Sequence, residues 1–297
     1  MSNTAMRIEG EEPTLRVERR GLKKGLYLIP SLFTAANIGM GFFAVMGTLR
    51  GFQLIGGGGE AHLARAAEHF DSASQAIGLA VLFDSLDGRI ARMTKTTTEI
   101  GVQLDSIADV LTFGIAPAVL VYAWSYGSVF AEGSPLHKLG WFLSFMFVIC
   151  GAFRLARFNV QAMRPRVLAE GTVKVDKKSF VGLPIPPAAG LLAAIIHFAP
   201  APLSQFDAQQ GAIYSSAMMG LIAMLGFLMV STIRYTSFKS VGATRRSTRV
   251  AIVALASIGM LIWLFSKYVL LILAVAYVSH GLLARFVSLF RRKPARE

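Results

Sequence analysis

Asp84, Asp87, Asp105 and Asp109 lie close together in a chain that is otherwise mainly apolar. The first two are three residues apart and the last two four apart, so each pair shares one face of a helix. Gly88, Ala91 and Arg92 continue the side that carries the first pair. Eight residues then lead to Gly101, and helices joined by so short a connection are antiparallel neighbours, which brings both pairs to one level. Carboxylates about 5–6 Å apart repel by roughly 3 kcal/mol at an effective dielectric near 20, and each also loses hydration beside an apolar phase. Solvated helix ends would explain a single aspartate, whereas four at this spacing across one hairpin call for positive charge among them. One or two divalent cations are the economical answer. Oxygen donors without histidine or cysteine favour Mg²⁺, Mn²⁺ or Ca²⁺ over zinc. Magnesium usually completes its shell with phosphate oxygens, which points to a phosphate-bearing substrate. Gly88 and Gly101 leave room for a ligand to approach the backbone.

The elements that must hold this hairpin are membrane spans. Of the 297 residues, 54% are hydrophobic and 16% charged, too apolar a balance for a soluble domain of this size. Apolar runs near 28–49, 74–93, 103–126, 139–160, 185–200, 212–231, 249–266 and 268–287 predict about eight transmembrane helices. Continuous runs without two-residue alternation exclude a barrel, so the fold class is all-α, a polytopic integral membrane helical bundle. The expected domains are a cytoplasmic segment 1–27, a membrane domain 28–246 and a C-terminal transmembrane hairpin with a basic tail, 247–297. Leu15, Val17 and Leu22 among basic residues give the first segment the makings of a helix lying on the membrane surface. The stretch from Arg50 to Asp71, with His62 and His69, reads as a loop, as do Glu132, Asp176 and Asp207. The lone cysteine, Cys150, lies in a predicted span and reads as packing.

A net charge of +13 suggests nucleic acid until its placement is considered. Lysine and arginine crowd alternate loops, at Arg16–Lys24, Arg89–Lys95, Arg164–Lys178, Arg234–Arg246 and Arg291–Arg296. Such a belt faces the cytoplasm and its anionic lipid headgroups, so nucleic acid is not needed to explain it. Both termini and the aspartate hairpin are then cytoplasmic, and no cleavable secretion signal is evident.

The stretch "DSLDGRIARMTKTTTEIGVQLDSIAD" resembles the signature of the CDP-alcohol phosphatidyltransferase family, matching it at every fixed position from Asp84 to Asp109. The resemblance implies transfer of a phosphatidyl group from a CDP-linked lipid to an alcohol with release of CMP, dependent on two divalent ions, Mg²⁺ or Mn²⁺. It makes Asp84, Asp87 and Asp105 metal ligands, with Asp109 completing the site and acting as general base on the acceptor hydroxyl; Asp105 shares the catalytic centre. Gly88, Ala91 and Gly101 would line the cytidine pocket and Arg92 would meet the diphosphate. A homodimer in a bacterial inner membrane, with six spans in the shared core and two beyond it, belongs to the same expectation. The chemistry suits these residues: a metal-bound diphosphate leaves more readily, a carboxylate takes a proton from an alcohol, and a guanidinium fits phosphate.

Further matches at "IPSLFTAANIGMGFFA", "FRLARFNV" and "FVGLPIPPAA" resemble the branch of that family whose substrates are CDP-diacylglycerol and L-serine. Arg154 and Arg157 share a face at a span end, where they could grip an anion of the acceptor or lipid, or merely snorkel. Asn37 either reaches the same cavity or bonds a neighbouring helix. Glycerol phosphate, an inositol compound or choline would be alternative acceptors. A divalent-cation transporter is a rival of another class, and it predicts acidic residues deeper in the spans.

Overall fold

The computed structural model describes residues 20–94, 99–163, 179–236 and 245–290. The expected surface helix at the N-terminus falls largely on residues 1–19, outside the described residues. Helix α1 (Arg20–Gly56) and helix α2 (Glu60–Thr94) turn back on each other at Gly57–Gly59 and pack along their length. Small residues make this close packing feasible: Ala44, Ala66, Ala73, Ala76 and Ala80 are all buried, with Phe70 and Ile77 filling the space between them. The stretch from Arg50 to Asp71, expected as a loop, is therefore helical on both sides of a short turn. Asp71, His62 and His69 all lie on α2.

After α3 (Glu99–Asp109) the chain passes through one widened helical turn, Val110–Ile115, and continues as α4 (Ala116–Trp124) and the short α5 (Tyr126–Val129). Helix α6 (Pro135–Met163) follows, then α7 (Ile185–Phe198), opened by prolines at its first positions, and α8 (Ala208–Val230), capped by the Asp207 carboxylate accepting from the Gln209 and Gln210 amides. Asp207 is thus a helix cap, a role that satisfies amides otherwise left without acceptors. The last helix, α9 (Arg245–Phe290), is kinked at Phe265. α2 packs on α7, α6 on α8 and α7 on α9, and the core is apolar, built from residues such as Phe113, Leu120, Ile185, Leu192 and Ile222.

Six helical segments are long and apolar enough to cross a membrane among the described residues, not the eight expected. Two differences account for this. Helix α2 is long, but Ser72, Ser74, Gln75, Asp84 and Ser85 dilute its hydropathy. The expected C-terminal pair corresponds to two helical stretches that meet at Phe265, whose φ of −136° and ψ of 47° are not helical, and one candidate span, Ala256–Leu283, runs across that junction. The outer face carries exposed Phe42, Phe153, Phe227 and Trp263, as expected of a bundle whose solvent is lipid.

A pair of three-residue antiparallel strands, β1 (Ser179–Val181) and β2 (Arg234–Thr236), ties the segment before α7 to the segment after α8. Gly182 follows with φ 84°, donates to the Ile233 carbonyl at 2.8 Å, and faces the Met229 and Ser231 carbonyls so closely that a side chain there has no room.

Candidate active site

The last turns of α2 carry Asp84, and α3 carries Asp105 and Asp109 one turn apart. Because α3 turns back beside the helices preceding it, the three carboxylates converge: each offers an oxygen within 4.8 Å of the others. Asp84 and Asp105 are half-buried and Asp109 is buried, at 8% exposure. Among the described residues this is the one group of acidic, histidine or cysteine side chains close enough to hold a metal ion. The fit is good, since oxygens on opposite sides of an ion with bonds of about 2.1 Å lie about 4.2 Å apart. All three donors are hard oxygens, which suits Mg²⁺ or Mn²⁺.

Asp87, Gly88, Ala91 and Arg92 continue α2 beyond Asp84, Asp87 one turn further on, and their side chains lie outside the described residues. Gly101 is exposed on α3, one turn before Asp105.

The widened turn begins immediately after Asp109, and such turns are frequent at functional sites. Its Thr112 is buried and donates its hydroxyl hydrogen to the Asn37 carbonyl of α1 at 3.1 Å. Gly41 permits this contact: a Cβ there would stand 2.8 Å from Leu111 Cδ2 and 2.9 Å from Thr112 Cα. Of the other glycines with close-packing potential, Gly39 and Gly78 face open space.

Asn37 is 1% exposed, and neither its amide nitrogen nor its amide oxygen has a hydrogen-bond partner. Arg154 on α6 is 8% exposed, its Nε likewise lacks a partner, and it lies within electrostatic reach of Asp109, of Arg157 and of Tyr277 on α9. Buried polar atoms left this way are uncommon in proteins, and beside the carboxylate cluster a ligand or water is one way of completing them. Arg157 is committed differently, with Nη1 donating to the Val230 carbonyl at the end of α8 at 3.3 Å, where a cation also suits the helix dipole.

Three features of the site carry no sequence signal that points to them. Asn159 Nδ2 donates to Ser106 Oγ at 2.8 Å, tying α6 to α3 between the two aspartates. The widened turn with Thr112 is a matter of backbone register. Tyr277 comes from a helix remote in sequence. Asp71, in the first half of α2, is paired with His197 at 2.5 Å.

The sequence profile described as CDP-alcohol phosphatidyltransferase matches residues 27–223. The CDP-diacylglycerol–serine O-phosphatidyltransferase of Helicobacter pylori strain J99 is 34% identical over 216 residues, covering 73% of this chain and 75% of that protein. The enzyme of the same description from Methanocaldococcus jannaschii is 36% identical over 163 residues, 54% of this chain and 62% of its own. The archaetidylserine synthase of Methanothermobacter thermautotrophicus is 33% identical over 168 residues, 56% of this chain and 58% of its own.

Proposed function

Since the chain belongs to the CDP-alcohol phosphatidyltransferase family, we infer that it transfers the phosphatidyl group of CDP-diacylglycerol to the hydroxyl of L-serine, yielding phosphatidylserine and CMP. The serine-specific descriptions of its relatives support the acceptor, and the single observation that carries the chemistry is the convergence of Asp84, Asp105 and Asp109 within 4.8 Å. In the reaction a bond forms between the serine oxygen and the phosphatidyl phosphorus. The bond from that phosphorus to the CMP oxygen breaks, and the hydroxyl proton passes to a carboxylate.

Asp109 is the proposed acceptor of that proton, and Asp105 shares the reacting centre. Asp84, Asp87, Asp105 and Asp109 would hold two divalent ions, Mg²⁺ or Mn²⁺. Bound there, the ions supply neutralisation of the diphosphate and a better leaving group. Gly88, Ala91 and Gly101 border the cytidine, and Arg92 pairs with the diphosphate. Arg154 and Asn37, whose buried polar atoms await partners, face the acceptor or its phosphate, with Arg157 behind them.

The enzyme is an integral membrane protein by its six candidate spans. We place it in a bacterial inner membrane as a homodimer, with the aspartates and both termini cytoplasmic because lysine and arginine crowd alternate connections of the sequence. The domain boundaries proposed are 1–27, 28–246 and 247–297.

The test is turnover by the purified protein with labelled serine and CDP-diacylglycerol, run beside glycerol phosphate, an inositol compound and choline. Labelled phosphatidylserine with equimolar CMP is expected, abolished by a divalent chelator and restored by Mg²⁺ or Mn²⁺. Turnover of another alcohol with serine inert would overturn the acceptor assignment.

A further inference from the structure

Helix α9 lies beyond the segment that matches the family profile, which ends at residue 223, yet it enters the bundle at two levels. At the upper level His197, buried at the end of α7, bonds through Nδ1 to the Asp71 carboxylate of α2 at 2.5 Å and through Nε2 to Ser266 Oγ of α9 at 2.9 Å. Phe198 and Tyr268 meet edge to face with centroids 5.6 Å apart beside it. Three helices are thus joined by one imidazole, and the junction falls next to the kink at Phe265.

Below that level α9 turns one stripe inward: Leu271, Ala274, Tyr277, Val278 and Leu282 pack on the core, at helical spacing. Eleven residues separate Ser266 from Tyr277, or roughly 16 Å of helix, and thirteen separate Asp71 from Asp84, roughly 20 Å. The two helices therefore run from a shared anchor to nearly the same depth. Tyr277 arrives within electrostatic reach of Arg154, which in turn lies within reach of Asp109.

We propose that Tyr277 is a specificity-determining residue of the acceptor pocket, where its hydroxyl and Arg154 together hold the acceptor's carboxylate, and that the Asp71–His197–Ser266 junction positions it. This rests on the reading of the acceptor as an amino acid. A zwitterion entering a site of low dielectric needs its carboxylate compensated by donors already in place. Arg154 offers an unpartnered Nε, and a phenol is a suitable second donor because it adds a hydrogen bond without a further buried charge. The other candidate acceptors lack a carboxylate, so a Tyr–Arg pair of this kind distinguishes serine from choline or inositol.

Steady-state kinetics of the full-length protein tests this with two variants, Tyr277→Phe and Ser266→Ala. Tyr277→Phe is expected to raise the KM for serine about tenfold, the effect of losing a hydrogen bond to a charged group. The KM for CDP-diacylglycerol and kcat at saturating serine should stay within about twofold. Ser266→Ala, remote from the aspartates, should raise the serine KM about threefold in the same selective way. The double variant should be no worse than Tyr277→Phe alone, because the junction acts through the tyrosine. An unchanged serine KM in Tyr277→Phe overturns the proposal, as do multiplicative effects or equal losses for both substrates in either variant. Should Tyr277→Phe not assemble, Ser266→Ala still decides by the same selectivity for serine. Wild-type protein inert towards serine would remove the underlying reading as well, whereas active wild type with insensitive variants removes this inference alone.

Discussion

At the scale of single residues the site depends on placing negative charge where water is scarce. Asp109 is the most buried of the three converging carboxylates, and it neighbours both the half-buried Asp105 and the guanidinium of Arg154. Replacing it with asparagine keeps its volume and removes the charge and the proton-accepting oxygen. Asp109→Asn is expected to lower turnover by about 10³-fold, in line with the loss of a general base, while CDP-diacylglycerol binding, followed by equilibrium titration, changes only severalfold. Turnover near wild type would show that the proton goes elsewhere. Asn159 acts more gently. Its amide holds Ser106, the neighbour of Asp105, and a part-buried hydrogen bond of this kind contributes about 1 kcal/mol. Asn159→Ala should therefore reduce kcat roughly fivefold through a looser α3, read as a higher Mg²⁺ concentration for half-maximal activity.

At the scale of elements, what matters is how closely α1 approaches the turn after Asp109. A valine at Gly41 would drive carbon into Leu111 and the Thr112 backbone, and forced overpacking costs about 1–3 kcal/mol. Gly41→Val should lose most activity and several degrees of thermal stability in detergent, whereas Gly39→Val, with nothing within 4 Å, serves as the neutral control. Equal behaviour of the two would show that the close approach is immaterial. The convergence of Asp84 with Asp105 and Asp109 was legible in the sequence because side-chain periodicity and a short connection constrain it. The widened turn was not legible, since it arises from a shifted backbone hydrogen-bond register that no residue type announces. Nor was the β1–β2 pair, whose three-residue strands are too short for an alternating pattern. Asp71 reads as a loop residue because polar residues dilute the first half of α2, and its partner His197 is 126 positions away. Pairings at that separation are decided by packing, which local pattern does not encode.

For the whole molecule, the number of spans and their direction follow from different kinds of information. Hydropathy read along the sequence expects more spans than the six candidates, yet its break at Ser266–Lys267 falls beside Phe265, where helical geometry is interrupted and His197 satisfies the Ser266 hydroxyl. Direction depends instead on charge. In the sequence, basic stretches flank the aspartates, follow α6 and surround β2, on alternate connections, while the segment joining α5 to α6 carries Glu132 and the first turn of α6 carries Lys138. Lysine and arginine are generally retained on the cytoplasmic side of membrane proteins, a rule under which the aspartates are expected to face the cytoplasm. The orientation is testable in a Cys150→Ser background, which removes the sole native thiol. Glu132 and Thr232 are both exposed, the first between α5 and α6, the second just after α8 at the opposite end. A membrane-impermeant maleimide should label Glu132→Cys in right-side-out vesicles and Thr232→Cys in inside-out ones. The reverse pattern would put the aspartates outside the cell, where cytosolic CDP-lipid chemistry has no counterpart, and would require a different account of the positive charge.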